Sequence, residues 1–285
     1  MNAEQVQDFL KSEELLNRIG YALHYEGWYK DSIEGKFGLD KETGVGSDHG
    51  RFRGSKNADL DARFFSQIEF DENGMSVVTD EHGNPYYKRV VNENGEVAYQ
   101  VDSAIKGWDF LPPSWKQENL AAAELVIAIA TYSWNKEISI SADLDYLGKG
   151  IHNAWVARQV EGELGIPYKE ALKLGTLNKY DLAYIKDSTL FSEKEASALW
   201  REVGRDKLSK IWGIENFVGF EELPFEEQVK DTRQVLYALR VINEMTNDQI
   251  GYFVEQEQLV GDKIAQKVFE NEQNKSTTPA SDGGM

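Results

Sequence analysis

The stretch "RIGYALHYEGW" at residues 18–28 returns, altered, as "YLGKGIHNAW" at residues 146–155. Each reads as a helix built around Gly-x-x-x-His, with a Trp within one turn of the histidine. Aligned on those two residues, Gly20 meets Gly148, Leu23 meets Ile151 and His24 meets His152. Three matches are few, so a second pair of segments has to repeat in the same order. One does: "WDFLPPSWKQENLAAAELVIAI" (108–129) lies over "FEELPFEEQVKDTRQVLYALRV" (220–241). That alignment puts Leu111-Pro112 on Leu223-Pro224, Asn119 on Asp231, Leu125 on Tyr237 and Ile127 on Leu239. Ordered recurrence of this kind predicts two copies of one unit, roughly 10–134 and 143–248, packed as a pseudo-symmetric pair.

Around these segments the hydrophobic period sets the elements. Residues 3–30 carry an apolar stripe at 3.6 spacing through Val6, Leu10, Leu15, Ile19 and Leu23, which predicts one helix. Residues 31–60 turn to Gly, Asp and Ser and read as a long loop. Between 64 and 101 the period drops to two, and "DENG", "DEHGNP" and "NENG" separate four apolar runs. Asn-Gly supplies the positive φ that tight hairpins need, so a four-stranded antiparallel meander is expected there. Helices follow from Pro112-Pro113 to Trp134, over 143–164, over 192–210 from the capping box "SEKE", and over 219–245. A last helix is expected over 247–269 after a break near Asn247, and 270–285 reads as a disordered tail. The expected fold class is α+β, mainly α. Residues 1–134 form a first unit with the meander 64–101 inserted, and 143–269 form a second.

Composition narrows the function. The 285 residues carry a formal charge of −18, which argues against a surface that grips nucleic acid or an anionic membrane. An anionic ligand would need a local basic patch. With no Cys there is neither a disulfide framework nor a thiolate metal site, as suits a reducing cytosol. The N-terminus is acidic and reads unlike a secretory signal. The longest apolar run, from Leu120, contains Glu124 and falls short of the ~20 residues a membrane helix needs. The expectation is a soluble, cytoplasmic protein.

The ordered motifs resemble the RyR domain, a module named from the repeats of ryanodine receptors and found also in bacterial and phage proteins. Its outline is a helix with "iHxxW", an aromatic-acidic L-P turn, and a helix with Asn or Asp followed by Arg. "GIHNAW" matches with His152 and Trp155, "FEELP" with Phe220 to Pro224, and "KDTR" with Asp231 and Arg233. In the first copy "ALHYEGW" matches with His24, but Gly27 stands where Trp would fall and Trp28 comes one place later. The resemblance covers about half of each unit. It implies recognition rather than catalysis: a small, nucleotide-derived signal bound by the repeats, which a phage copy would sequester against host defence. The alternative is a protein-interaction or virion component. No catalytic residue, metal or cofactor is implied, and a homo-oligomer is compatible with the sequence.

Candidate ligand contacts are His24, Trp28, Trp108, His152 and Trp155 from the helix and turn motifs, and Arg158 and Arg233 as phosphate partners. Arg51 and Arg53 join them from the Gly-rich loop "GVGSDHGRFRGSKN". The site is expected where the two copies meet. Each candidate also has a structural reading. A His one turn from Trp is a packed ring bonded to a carbonyl or carboxylate, and a loop arginine pairs with a nearby Asp. The histidines lack the spacing of a metal motif, and nothing resembles a nucleophile elbow.

Overall fold

The computed structural model describes residues 1–29, 52–55, 57–91, 95–103, 105–164, 220 and 223–277. Among these residues it is mainly helical, with seven α-helices and a three-stranded antiparallel sheet. The helices are α1 (Ala3–Leu10), α2 (Glu13–Ala22), α3 (Ala58–Phe65), α4 (Pro113–Lys136), α5 (Leu144–Leu164), α6 (Phe225–Thr246) and α7 (Gly251–Thr277). The strands are β1 (Phe52–Gly54), β2 (Tyr87–Val91) and β3 (Val97–Asp102). The chain divides into two compact units, Lys11–Glu124 on one hand and Met1–Leu10 with Leu125–Met285 on the other.

The N-terminal helix expected over 3–30 is three pieces. Ser12 has extended backbone and accepts from Leu15 N at 3.2 Å, so α2 begins afresh with its own cap. After Ala22 the chain winds as a π-helix over Leu23–Tyr29. The expected loop 31–60 also contains regular structure. Asn57 caps α3 by accepting from Leu60 N at 2.9 Å, a start signal that the surrounding Gly and Asp obscured.

The four-stranded meander is corrected to three strands in the order β1-β3-β2. β2 and β3 are the last two expected runs, in register Tyr87↔Val101 through Val91↔Val97. The third strand, β1, comes from the expected loop and pairs Phe52↔Asp102. The first run is helical through Phe65, and residues 70–79 make only isolated bridges. Two of these bridges, Phe70↔Ser76 and Thr79↔Pro85, close turns whose polar groups are met locally. Asp71 Oδ1 accepts from Asn73 N and Met75 N, and Asp80 Oδ1 accepts from His82 N and Asn84 N. Gly74 and Gly83 supply the positive φ, 77° and 80°. The turns are where the sequence puts them, but the runs between are too short to become strands.

The core of the Lys11–Glu124 unit lies under the sheet. Phe65, Tyr87, Val101, Ile105, Leu111 and Trp115 are buried together, and Phe65 stacks on Tyr99 with ring centroids 4.4 Å apart. Asp61 is fully buried at the edge of this core. Its carboxylate accepts from Ser114 N at 2.9 Å, Ser114 Oγ and Ser55 Oγ. A side chain of α3 thereby caps the first turn of α4.

In the other unit α5, α6 and α7 follow the expected pattern. α6 starts after Pro224 with Glu226 and Glu227 in its first turn. It stops at Asn247, whose φ of 49° is left-handed. The link between α4 and α5 contains a 3₁₀ turn over Ser141–Asp143. Buried Gln256 of α7 fixes it by accepting from Ile140 N at 2.7 Å. α7 runs to Thr277, so residues 270–277 of the expected tail are helical. The expected helix over 192–210 lies outside the described residues. No helix among the described residues is long and apolar enough to cross a membrane.

Candidate functional site

The histidine helices form one cluster in each unit. In the Lys11–Glu124 unit, α2 approaches the turn before α4 at Gly20. A Cβ built on Gly20 would lie 3.0 Å from Leu120 Cδ2 and 3.2 Å from Trp108 Cη2. One turn on, His24 is wholly buried beside Trp108, with ring centroids 6.4 Å apart and planes inclined by 54°. His24 Nε2 sits 2.7 Å from Ile105 O. A carbonyl oxygen only accepts, so Nε2 carries the proton and Nδ1 is a bare acceptor, which meets no hydrogen-bond partner among the described residues. Burial lowers the His24 pKa to about 4, against the opposing effect of the Ile105 bond.

In the other unit, a Cβ on Gly148 of α5 would lie 2.7 Å from both Phe220 Cζ and Thr232 Cγ2. His152, 4% exposed, lies beside Phe220 with centroids 6.3 Å apart and planes inclined by 51°. His152 Nδ1 faces Asp231 Oδ2 at 3.4 Å. The half-buried Trp155 stacks on the His152 ring, at 6.1 Å and 28°. Phe220 and Leu223 form a tight turn, Leu223 N donating to Phe220 O at 3.2 Å. Pro224 O then accepts from Glu227 N and Gln228 N. In the first cluster Leu111 N donates to Trp108 O at 3.3 Å, and Pro112 O accepts from Trp115 N and Lys116 N.

The two clusters differ where charge is concerned. Asn119 stands at the position aligned with Asp231. It donates to Trp115 O on its own helix at 2.9 Å and does not replace the carboxylate. His24 is therefore held by a main-chain carbonyl through Nε2, and His152 by a side-chain carboxylate through Nδ1. Both are packed histidines, as the structural reading of the sequence expects. Their chemistry is to fix neighbouring rings rather than to meet solvent.

The close approach at the glycines sets a measurable contrast. In an exposed helix Gly→Ala gains about 1 kcal/mol, whereas overpacking costs about 1–3 kcal/mol. Gly148→Ala meets two contacts at 2.7 Å, and should lower the unfolding free energy by about 1–2 kcal/mol in urea titrations. Gly20→Ala meets the movable end of Leu120, and should stay within about 1 kcal/mol of the parent. A stabilised Gly148→Ala protein would show that the approach is loose.

The remaining candidates do not all converge. Arg158 lies one turn beyond Trp155 on α5 and is half-buried, with partners of its own. Arg233 is two residues from Asp231 on α6, about 200° round the helix, so it does not face His152. Arg53 lies on β1 of the other unit and is engaged in an interaction. Trp28 is the last residue but one of the π-helical segment, while Arg51 lies outside the described residues. Among the described residues no group of three or more acidic or histidine side chains could hold a metal ion. Sequence reasoning named Phe220 only as part of the L-P motif and did not single out Thr232, yet both wall the Gly148 contact. The L-P alignment had already set them opposite Trp108 and Leu120. Comparison of the chain with protein-family models, with curated proteins and with solved structures finds no match.

Proposed function

We propose that the chain is a non-catalytic binding protein of two RyR-like units in tandem. One observation carries this reading. Each histidine-helix glycine touches the two residues that a separate alignment, made on the L-P segments, sets opposite one another: Trp108 and Leu120 for Gly20, Phe220 and Thr232 for Gly148. The matched His–aromatic ring geometries and the matched proline turns point the same way. Unrelated segments would have no reason to agree on all three.

Binding rather than catalysis is supported by how the histidines are used. Both are buried and bonded within their own unit, so neither is poised to exchange protons with a substrate. The contact surface is the half-buried indole of Trp155, oriented from behind by His152 and Asp231. A flat aromatic ligand suits such a platform, and a nucleotide-derived signal is the class this reading favours. Sequestering such a signal would be the work of a phage counter-defence protein.

Native mass spectrometry of protein purified from bacterial cells tests the proposal. A tightly held small molecule is expected, and Trp155→Ala should weaken its retention roughly 5- to 150-fold while the protein stays folded, as loss of one stacked ring does. Arg233→Ala should leave retention unchanged. Assembly without a small molecule would favour the protein-interaction or virion reading. A folded Trp155→Ala protein that binds as before would place the site elsewhere.

A further inference from the structure

The two histidine helices differ in winding as well as in charge. His152 and Trp155 are three residues apart in α5, which is α-helical throughout Leu144–Leu164. His24 and Trp28 are four residues apart, and the backbone between them is the π-helix Leu23–Tyr29. A π-helix closes i→i+5 bonds and so holds more residues per turn than an α-helix, usually by absorbing a single insertion. Gly27, the glycine of this turn, has open space at its Cβ position, with nothing within 4 Å. Upstream the two helices keep step, since Gly20 and Gly148 make equivalent contacts four residues before their histidines.

We infer that the π turn is a one-residue insertion in the first unit, which returns residue 28 to the helical phase that residue 155 holds in the second. The displaced Trp of the first motif is then a change of spacing and not a loss of the motif. The first unit then keeps the motif in helical phase though not in spacing, where the motif read literally would leave only the second. The inference deepens the tandem reading and rests on it.

Deletion of Gly27 gives His-x-x-Trp in the first unit, the spacing of the second. The segment is expected to relax to a continuous α-helix, with a melting temperature within about 3 °C of the parent. Deletion of Ala154, where α5 has no residue to spare, should lower it by more than about 10 °C. A crystal structure or backbone NMR of the Gly27 deletion should show i→i+4 bonding through the former π turn. A Gly27 deletion as damaging as the Ala154 deletion overturns the insertion, and so does one that folds yet keeps the π turn. Binding fails separately: a tolerated deletion in a protein that retains no small molecule leaves the insertion standing and removes the ligand.

Discussion

Asp61→Ala should be among the most damaging single substitutions in the Lys11–Glu124 unit, costing about 3–5 kcal/mol of unfolding free energy. The carboxylate is fully buried and receives three donors, Ser114 N, Ser114 Oγ and Ser55 Oγ. Truncation leaves a helix N–H in the first turn of α4 without its acceptor, and each buried donor left unmade costs about 1–3 kcal/mol. It also untethers the residues after β1. Asp61→Asn keeps one carbonyl for Ser114 N but not the charge, so its loss should be about half as large. Urea unfolding of the two variants beside Ser114→Ala checks the order. An Asp61→Ala protein within about 1 kcal/mol of the parent would mean that the carboxylate is not needed as a cap.

Acid should weaken the same unit through His24. The folded state holds this imidazole neutral, with a pKa lowered to about 4, while the unfolded chain has the ordinary 6.5. The unfolded state therefore takes up the proton first as pH falls. The neutral ring's contribution is complete above about pH 6.5 and is lost between there and about pH 4. That lowering corresponds to about 3 kcal/mol. His24→Gln, which can still donate to the Ile105 carbonyl, should lose less stability than the parent between pH 7 and pH 4.5, by about 2–3 kcal/mol. Carboxylate titration is common to both proteins and cancels in the comparison. Parallel pH profiles for the two would show that His24 takes up its proton without strain.

Much of this was legible because local chemistry fixes it. Pro224 with two glutamates starts α6, left-handed Asn247 stops it, and Gly74 and Gly83 stand at the turns where Asp71 and Asp80 cap them. What the sequence hides is pairing at a distance. β1 has three residues and no alternation to announce it. It exists because β3, almost fifty residues later, offers it a partner. The acceptor for His24 is the main chain of Ile105, which no side-chain pattern can signal. Asp61 reads as one more surface acid among forty-nine Asp and Glu, yet it lies at the base of α4. The site was half legible for the same reason. The glycine, histidine and L-P motifs mark which helices meet, but their partners depend on how those helices turn. Asp231 therefore faces His152 while Arg233, two residues on, does not.

The division of the chain also sets an order of events during synthesis. Residues 1–10 belong with Leu125–Met285, and Gln7 of α1 donates to Asn135 near the end of α4. The Lys11–Glu124 unit is thus nested in the chain of its neighbour. As the polypeptide leaves the ribosome, α1 emerges before its partners and must wait for them. At about 5–20 residues per second, this wait is on the order of ten seconds or more. The nested unit has all its residues in hand by then and can close before its host has a core. A fragment ending at residue 124 would hold every residue of the His24 cluster, with α1 left without its partners.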